Sequence, residues 1–562
     1  MEYKVAFADV LYDHLKDYIG KSKLMNMIEK PKFENMGDLA FPCFELAKIY
    51  RKAPQTIAIE LAQNLRLPSV FQNTKAMNGY VNVFLNKREV SSHIIHEVIS
   101  SKEKYGNNNI GNQEVITIDF SSPNIAKPFS MGHLRSTVIG NSLALISEKC
   151  GYKPIRINHL GDWGTQFGKL IVAYKRWGEE KKVKENPIKE LLKLYVQFHE
   201  EAELDPSLND QGRSWFKKLE EEDEEAYELW EWFRDESLKE FSKIYALLGV
   251  NFDSTHGEAF YNDKMDHVVK LLVEKQLLKE SEGAKVVEIN DSLPPCLIKK
   301  KDGTTLYATR DLAAAIYRQN HYGFVQSFYV VGNEQTLHFK QIFEVLLKMG
   351  YTWHGGLKHI SFGMILKDGK KMSTRKGKVV LLEDVLNDAI NLAKKNILVK
   401  NPELECKDTV ARQVGVGAII FHDLKNYRLN DIEFSLDDML RFEGETGPYV
   451  QYTHARASSI LKKGNYVESN EKFVITDDEA WTVITNLMAF PSVIKRAFDE
   501  YDPSQMAKYV LELSKSFNKY YGSVRILADH EQKQARLSLV FAVQIVLNEG
   551  LRLLGIEAPT EM

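Results

Sequence analysis

At 562 residues the chain is long enough for three to four domains of about 150 residues, which excludes a single small binding module. Its 44% hydrophobic and 27% charged residues supply the apolar content of packed cores and exclude the composition of a disordered chain. Seventy-four Lys and Arg against 77 Asp and Glu leave a formal charge of −3, so any surface for a polyanion must be local. The four cysteines, Cys43, Cys150, Cys296 and Cys406, lie too far apart for CxxC zinc spacing or a disulfide scaffold, and fit a reducing compartment. Glu2, Asp9, Asp13 and Asp17 make the amino end unlike a signal or transit peptide. The longest apolar runs, such as 414–421, fall short of the roughly 18 residues that span a bilayer. The expected location is the cytoplasm, with no membrane contact.

Taken in chain order, residues 1–110 read as an α+β unit with an opening helix, a helical stretch over 44–65 and a strand GYVNVFL at 79–85. The Lys-, Asn- and Gly-rich stretch 101–112 marks a boundary. VITIDF at 115–120 is a short apolar run that ends in a turn-rich loop, and helical periodicity follows over 133–148. Strand, loop and helix in that order open a nucleotide-binding βα unit. PIRIN at 154–158, FYVVG at 328–332 and HISFGMI at 359–365 read as further buried strands separated by helices, which predicts a parallel α/β sheet. Between about 170 and 300 the sequence reads as a charged, aromatic, helical insertion, and its six consecutive acids at 220–225 as a solvated helix face. From about 445 onward an all-α bundle is expected. The predicted division is 1–110, 111–440 with the insertion, and 441–562.

Two segments carry chemistry. In SSPNIAKPFSMGHLRST, residues 121–137, Gly132 lets a ligand approach the backbone, a helix start presents N–H groups, and His133 adds a side-chain donor, which together suit phosphate. Lys127 sits in the same loop. In ILKDGKKMSTRKGKVV, residues 365–380, Lys367, Lys370, Lys371, Arg375, Lys376 and Lys378 surround two glycines after an apolar strand, which predicts a cationic loop.

Together the two segments resemble the paired signatures of class I aminoacyl-tRNA synthetases, and the chain resembles arginyl-tRNA synthetases along essentially its whole length. HLGDWGTQFGKL at 159–170, LYATRD at 306–311 and MSTRKG at 372–377 are blocks of that family's type. FENMGDLAFPCFELAK resembles the family's amino-terminal domain that contacts the tRNA elbow. YVQYTHARASSIL and the terminal QARLSLVFAVQIVLNEGLRLLGIEAPTEM resemble its helical anticodon-binding domain. The implied fold is a Rossmann-like parallel-sheet catalytic domain with a helical insertion, an α+β amino-terminal domain and an all-α carboxyl-terminal domain.

The resemblance implies ATP-dependent activation of L-arginine and transfer to the terminal adenosine of tRNA(Arg), with Mg2+ carried on ATP and no dedicated protein metal site. It also implies activation that depends on bound tRNA, a monomer, and no editing domain. Catalysis then rests on donors aimed at phosphate charge, His133, Lys371, Ser130, Arg375 and Lys376, with Lys127, Gly132, Met372 and Ser373 completing the ATP site. Motif alignment assigns Asp119, Asn124, Tyr307, Asp311 and Gln335 to arginine, with Asp311 on the guanidinium. A planar five-donor group needs fixed acceptors of this kind. His159, Asp162 and Trp163 are read either as walls of the ATP pocket or as turn residues. Tyr449, Tyr452 and Arg456 are read either as tRNA contacts or as core. Two positions depart from the family pattern: Ser130 stands where the first signature has a histidine, and Thr374 where the second has a lysine, a charge that Arg375 or Lys376 can supply. Other class I synthetases would share both signatures, but the widely spaced cysteines and LYATRD favour the arginyl family.

Overall fold

The computed structural model describes residues 2–562 apart from 126–128, 291–292, 302–306, 373, 376–377, 470 and 529–530. The chain forms two units. One comprises Met1–Tyr105, Ala457–Ser492 and Glu512–Val546, the other Gly106–Arg456, Val493–Leu511 and Leu547–Met562.

In the first unit, β1 (Leu39–Pro42), β2 (Phe71–Met77) and β3 (Tyr80–Leu85) form an antiparallel sheet in the order β1-β3-β2. The β2–β3 hairpin turns through Asn78 and Gly79, at φ 51° and 84°, the pair of left-handed residues that a two-residue hairpin requires. Phe7 of the opening helix Glu2–Leu15 meets Phe71 edge-on at 6.0 Å, and Leu11, Val81 and Val83 are fully buried. The helical stretch expected over 44–65 is instead two helices, Leu46–Tyr50 and Pro54–Asn64. Arg51 turns left-handed between them, and Pro54 occupies the one helical turn where a missing N–H is harmless. Tyr105 ties this part to the Trp481–Asp499 helix: its hydroxyl donates to the Leu487 carbonyl at 3.0 Å, and its ring stacks on Phe490.

The second unit holds the expected parallel sheet. β4 (Val115–Asp119), β5 (Lys153–Ile157), β9 (Gln326–Tyr329) and β10 (Leu357–His359) run parallel in the order β10-β9-β4-β5. Central β4 is buried along nearly its whole length because helices must cover both faces of such a sheet. Thr117, fully buried there, satisfies its hydroxyl by donating to Ser327 Oγ at 2.8 Å. The Met131–Lys149 helix links β4 to β5, and the Thr336–Lys348 helix links β9 to β10.

The insertion departs from a purely helical reading. After Thr165–Trp177, Pro187–Leu204, Ser207–Glu220, Glu224–Leu248 and Met265–Glu274 come β6 (Leu278–Ser281), β7 (Ala284–Val287) and β8 (Cys296–Lys299), an antiparallel sheet of three. The acid run is not one helix face. Glu220 ends a helix, Glu222 is left-handed at φ 58°, and the Asp223 carboxylate caps the next helix by accepting from Ala226 N–H.

Of the strand expected at HISFGMI only the two ends are strand, His359 closing β10 and Ile365 opening the next one. Residues 357–359 complete the parallel sheet, whereas β11 (Ile365–Lys367) pairs with β12 (Lys370–Lys371), and with β15 (Ile432–Glu433) on its other side. Between them in sequence, β13 (Thr374–Arg375) and β14 (Lys378–Val379) form a two-stranded ladder. Beyond residue 441 the described residues contain helices and no strand, the long ones being Gly447–Lys463, Trp481–Asp499, Ser504–Ser523 and Lys533–Leu553. Among the described residues no helix is long and apolar enough to cross a membrane.

Candidate active site

A cavity of about 740 Å³ opens beyond the carboxyl ends of β4 and β9, where open parallel sheets bind their ligands. Asp119, Asn124, Tyr307, Asp311 and Gln335 all line it, as do Gly132, His133, Lys371 and Met372. Of the fourteen residues that the resemblance names, these nine, from five separate segments, line the one cavity.

Asp119 ends β4 and is buried. Its Oδ2 lies 2.8 Å from the Arg318 guanidinium, and its Oδ1 accepts from Ser122 Oγ at 2.9 Å. Arg318 is itself buried, so the pair holds its charges by mutual compensation. Asn124 reaches the cavity because Gly161 faces it: the two join in a parallel bridge, and a Cβ on Gly161 would come within 2.3 Å of Asn124 Oδ1. Tyr307 and Asp311 stand one turn apart at the start of the Tyr307–Tyr322 helix, Tyr307 largely exposed and Asp311 hydrogen-bonded to His338 Nε2 at 2.5 Å.

At the other side of the cavity, the Met131–Lys149 helix begins at Ser130. The Ser130 backbone N–H donates to His133 Nδ1 at 3.2 Å, so the neutral imidazole carries its proton on Nε2. Ser130 does not line the cavity; it is the helix cap and sets the ring of the neighbour that does. Lys371 approaches from β12 and pairs with Glu334 at 3.4 Å, with both side chains more than half exposed. Met372 is buried. Lys127, Ser373 and Lys376 lie outside the described residues, and of Arg375 the structure describes the backbone alone, in β13.

The HLGDWG block divides. His159 lines the cavity, and burial lowers its pKa, which keeps the ring neutral. Asp162 is buried away from it: Oδ1 accepts from Ala259 N–H at 2.8 Å, Oδ2 from Arg234 Nε at 3.2 Å, and its carbonyl from Trp230 Nε1 at 2.7 Å. Trp163 packs edge-on against Phe216 and Trp230 and is not in the wall. In the Gly447–Lys463 helix the Arg456 guanidinium lies 4.9 Å over the ring of half-exposed Tyr452.

Sequence reasoning missed several polar wall or support residues, Glu258, Arg310, Arg318 and His338 among them. Burial, with the carboxylates of Asp311 and Asp162 adding to it, pushes Glu258 up to about 7 against the pull of Arg310 at 3.6 Å. None of the four sits in a phosphate-type loop. Arg310, inside LYATRD, and His338, in the same GNEQTLH block as Gln335, carried a signal that could have found them. Among the described residues no group of three or more His, Cys, Asp or Glu is placed to hold a metal ion.

A family model described as "tRNA synthetases class I (R), catalytic domain" matches residues 94–436, "DALR anticodon binding domain" matches 450–562, and "Arginyl tRNA synthetase N terminal domain" matches 4–85. Arginine–tRNA ligases of Exiguobacterium sibiricum and Bacillus thuringiensis are 61% and 59% identical, with 100% of each chain covered. The solved arginyl-tRNA synthetase of Thermus thermophilus has the same fold at 24% identity, with a TM-score of 0.81 and 99% of each chain covered. From its amino-terminal domain to its last helix, the chain belongs to the arginine–tRNA ligases, the arginyl family of class I aminoacyl-tRNA synthetases.

Proposed function

We propose that the chain activates L-arginine with ATP and transfers it to the terminal adenosine of tRNA(Arg), releasing AMP and pyrophosphate, and that the cavity beyond the carboxyl ends of β4 and β9 performs both steps. The observation that carries this reading is that carboxylates and amides suited to a guanidinium line the same cavity as donors suited to phosphate.

The arginine carboxylate attacks the α-phosphorus, so no enzyme nucleophile is needed and the chain's work is positioning and charge stabilisation. His133 Nε2–H and the Gly132 end of the helix meet the phosphates, and Lys371 meets the departing pyrophosphate together with Arg375 or Lys376. Lys127, Met372 and Ser373 complete the ATP site. Mg2+ arrives on ATP and supplies further charge neutralisation. Asp311, oriented by His338, takes the guanidinium beside Tyr307. Asp119 is already neutralised by Arg318, so it lends acceptor oxygens with little net field. Asn124 and Gln335 complete the contacts to the amino acid. A lysine in this site would leave buried acceptors unpaired, which makes editing unnecessary.

The division into 1–110, 111–440 and 441–562, a monomeric state, a cytoplasmic location and tRNA contact through Tyr449, Tyr452 and Arg456 belong to the same reading. Charging total tRNA with each of the twenty labelled amino acids, with ATP and Mg2+, tests it: arginine alone should be accepted, and charging by another amino acid would refute it. Asp311→Ala should cost at least about 100-fold in kcat/KM for arginine while tRNA binding is retained.

A further inference from the structure

Tyr245 lies outside every motif, in the insertion helix Glu224–Leu248, yet its phenol is buried beneath the phosphate-facing loop. Asn158 Nδ2 donates to the phenol oxygen at 3.0 Å, and the phenol shares a hydrogen bond with Ser121 Oγ, 2.9 Å away. Each partner continues towards the cavity. Ser121 N–H donates to Ser136 Oγ at 2.8 Å, and Ser121 Oγ lies 2.9 Å from Thr137 Oγ1, which itself donates to the His133 carbonyl at 2.8 Å. Asn158 Oδ1 accepts from Ser122 N–H at 3.1 Å, and Ser122 Oγ donates to Asp119. The Tyr245 ring meets Phe129 edge-on at 5.5 Å, and Phe129 packs on the His133 ring at 5.1 Å.

Ser121 and Ser122 are both left-handed, at φ 71° and 48°. Non-glycine residues hold that conformation only where surrounding bonds over-determine it, and consecutive ones need more such bonds than one. Among the described residues, Tyr245 is the one side chain from the insertion that hydrogen-bonds to this pair. We propose that Tyr245 is a positioning residue for both substrates, with its hydroxyl and ring linking the insertion to Asp119 on the arginine side and His133 on the phosphate side. The inference rests on the reading of Asp119 and His133 as substrate contacts. Tyr245 touches neither substrate; it acts through Ser121, Asn158 and Phe129.

Tyr245→Phe removes one oxygen and keeps the ring. In tRNA-dependent ATP–pyrophosphate exchange and charging, well below the unfolding transition, it should lower kcat/KM for arginine by about 10- to 100-fold, the scale of a sub-ångström to ångström misplacement. Ser121→Ala should lower it similarly, and the double variant should lose little more than either single one. Rates and KM equal to the unaltered enzyme's, with only a lower melting temperature, would make Tyr245 merely structural. Fully additive losses would break the route through Ser121. Should Tyr245→Phe not fold, Ser121→Ala alone decides, with unchanged kcat/KM overturning the proposal. Asp119→Asn separates the two layers. If it leaves the arginine KM unchanged, the site reading fails and the relay with it; if it raises that KM while Tyr245→Phe does nothing, only the relay fails.

Discussion

Around His133 the chain is held from beneath by buried hydroxyls, a capping serine and a packed phenylalanine, whereas Lys371 stands on a two-residue strand with half its side chain in solvent and one loose partner, Glu334. The first segment grows directly from a central strand of the parallel sheet. The second hangs from β11, which pairs with β15 rather than with that sheet. The difference separates two ways of supplying positive character to a phosphate. A helix end and a fixed imidazole must be placed accurately, because their donors are directional, and that placement requires a rigid base. A lysine is a compact charge on a long flexible stem and can arrive from an exposed hairpin.

If this contrast holds, substitutions at the two segments should fail differently. The largest effect belongs to Arg135, two residues past His133: its buried guanidinium pairs with Asp423 at 3.2 Å and donates to the Asn430 carbonyl. Arg135→Ala should cost about 3–5 kcal/mol in chemical denaturation, because Asp423 would be left buried without its partner. Burial already pushes Asp423 up to about 6. Next, Lys371→Ala should leave the denaturation midpoint unchanged and lower kcat of exchange by about 10²- to 10³-fold. A loss of stability there would erase the contrast.

A third effect concerns pH. Glu258 titrates near 7 in the folded protein but near 4.5 when unfolded, so between these values the native state holds a proton that the unfolded chain has released. Stability from this group is therefore greatest below about 4.5 and is lost as pH rises through 7. Glu258→Gln should remove that slope and, at pH 8, exceed the unaltered protein in stability by up to on the order of 3 kcal/mol, as read by denaturation at several pH values. The smallest effect is that of Glu334→Gln, which should change stability by less than about 1 kcal/mol, since its pair with Lys371 is exposed and screened.

Central β4 was legible because it is a short apolar run, and with its following helix it was placed to within a residue or two, whereas β10 is Leu-Lys-His and only its last residue falls in the expected HISFGMI. The β6–β8 sheet was not legible. Its strands are four residues long and carry Lys279, Glu280, Lys285 and Lys299, so no apolar alternation marks them, and the surrounding charge reads as helix surface. In the site, the resemblance named residues inside motifs that line the cavity, Asp119 and Asp311 among them, and left most of their supports unnamed. Arg318 and Tyr245 act across the fold, Tyr245 over a separation of 124 residues from Ser121, and a single tyrosine in a helix rich in aromatics carries no local mark of that role. Ser130 shows the converse: the sequence presented it as a lost histidine, while its backbone N–H serves the remaining one.

The ties around Asp162 bear on how the family's insertions can be exchanged. Trp230, Arg234 and Ala259, all in the insertion, converge on this one aspartate of the HLGDWG block, and Tyr245 reaches Ser121 and Asn158 from the same helix. The insertion is thus not a cassette dropped into a finished domain. A chimera that grafts residues 170–300 from a distant relative would sever these joints at once, so a viable seam lies outside them, with the loop before the Met131–Lys149 helix and the HLGDWG block travelling with the graft.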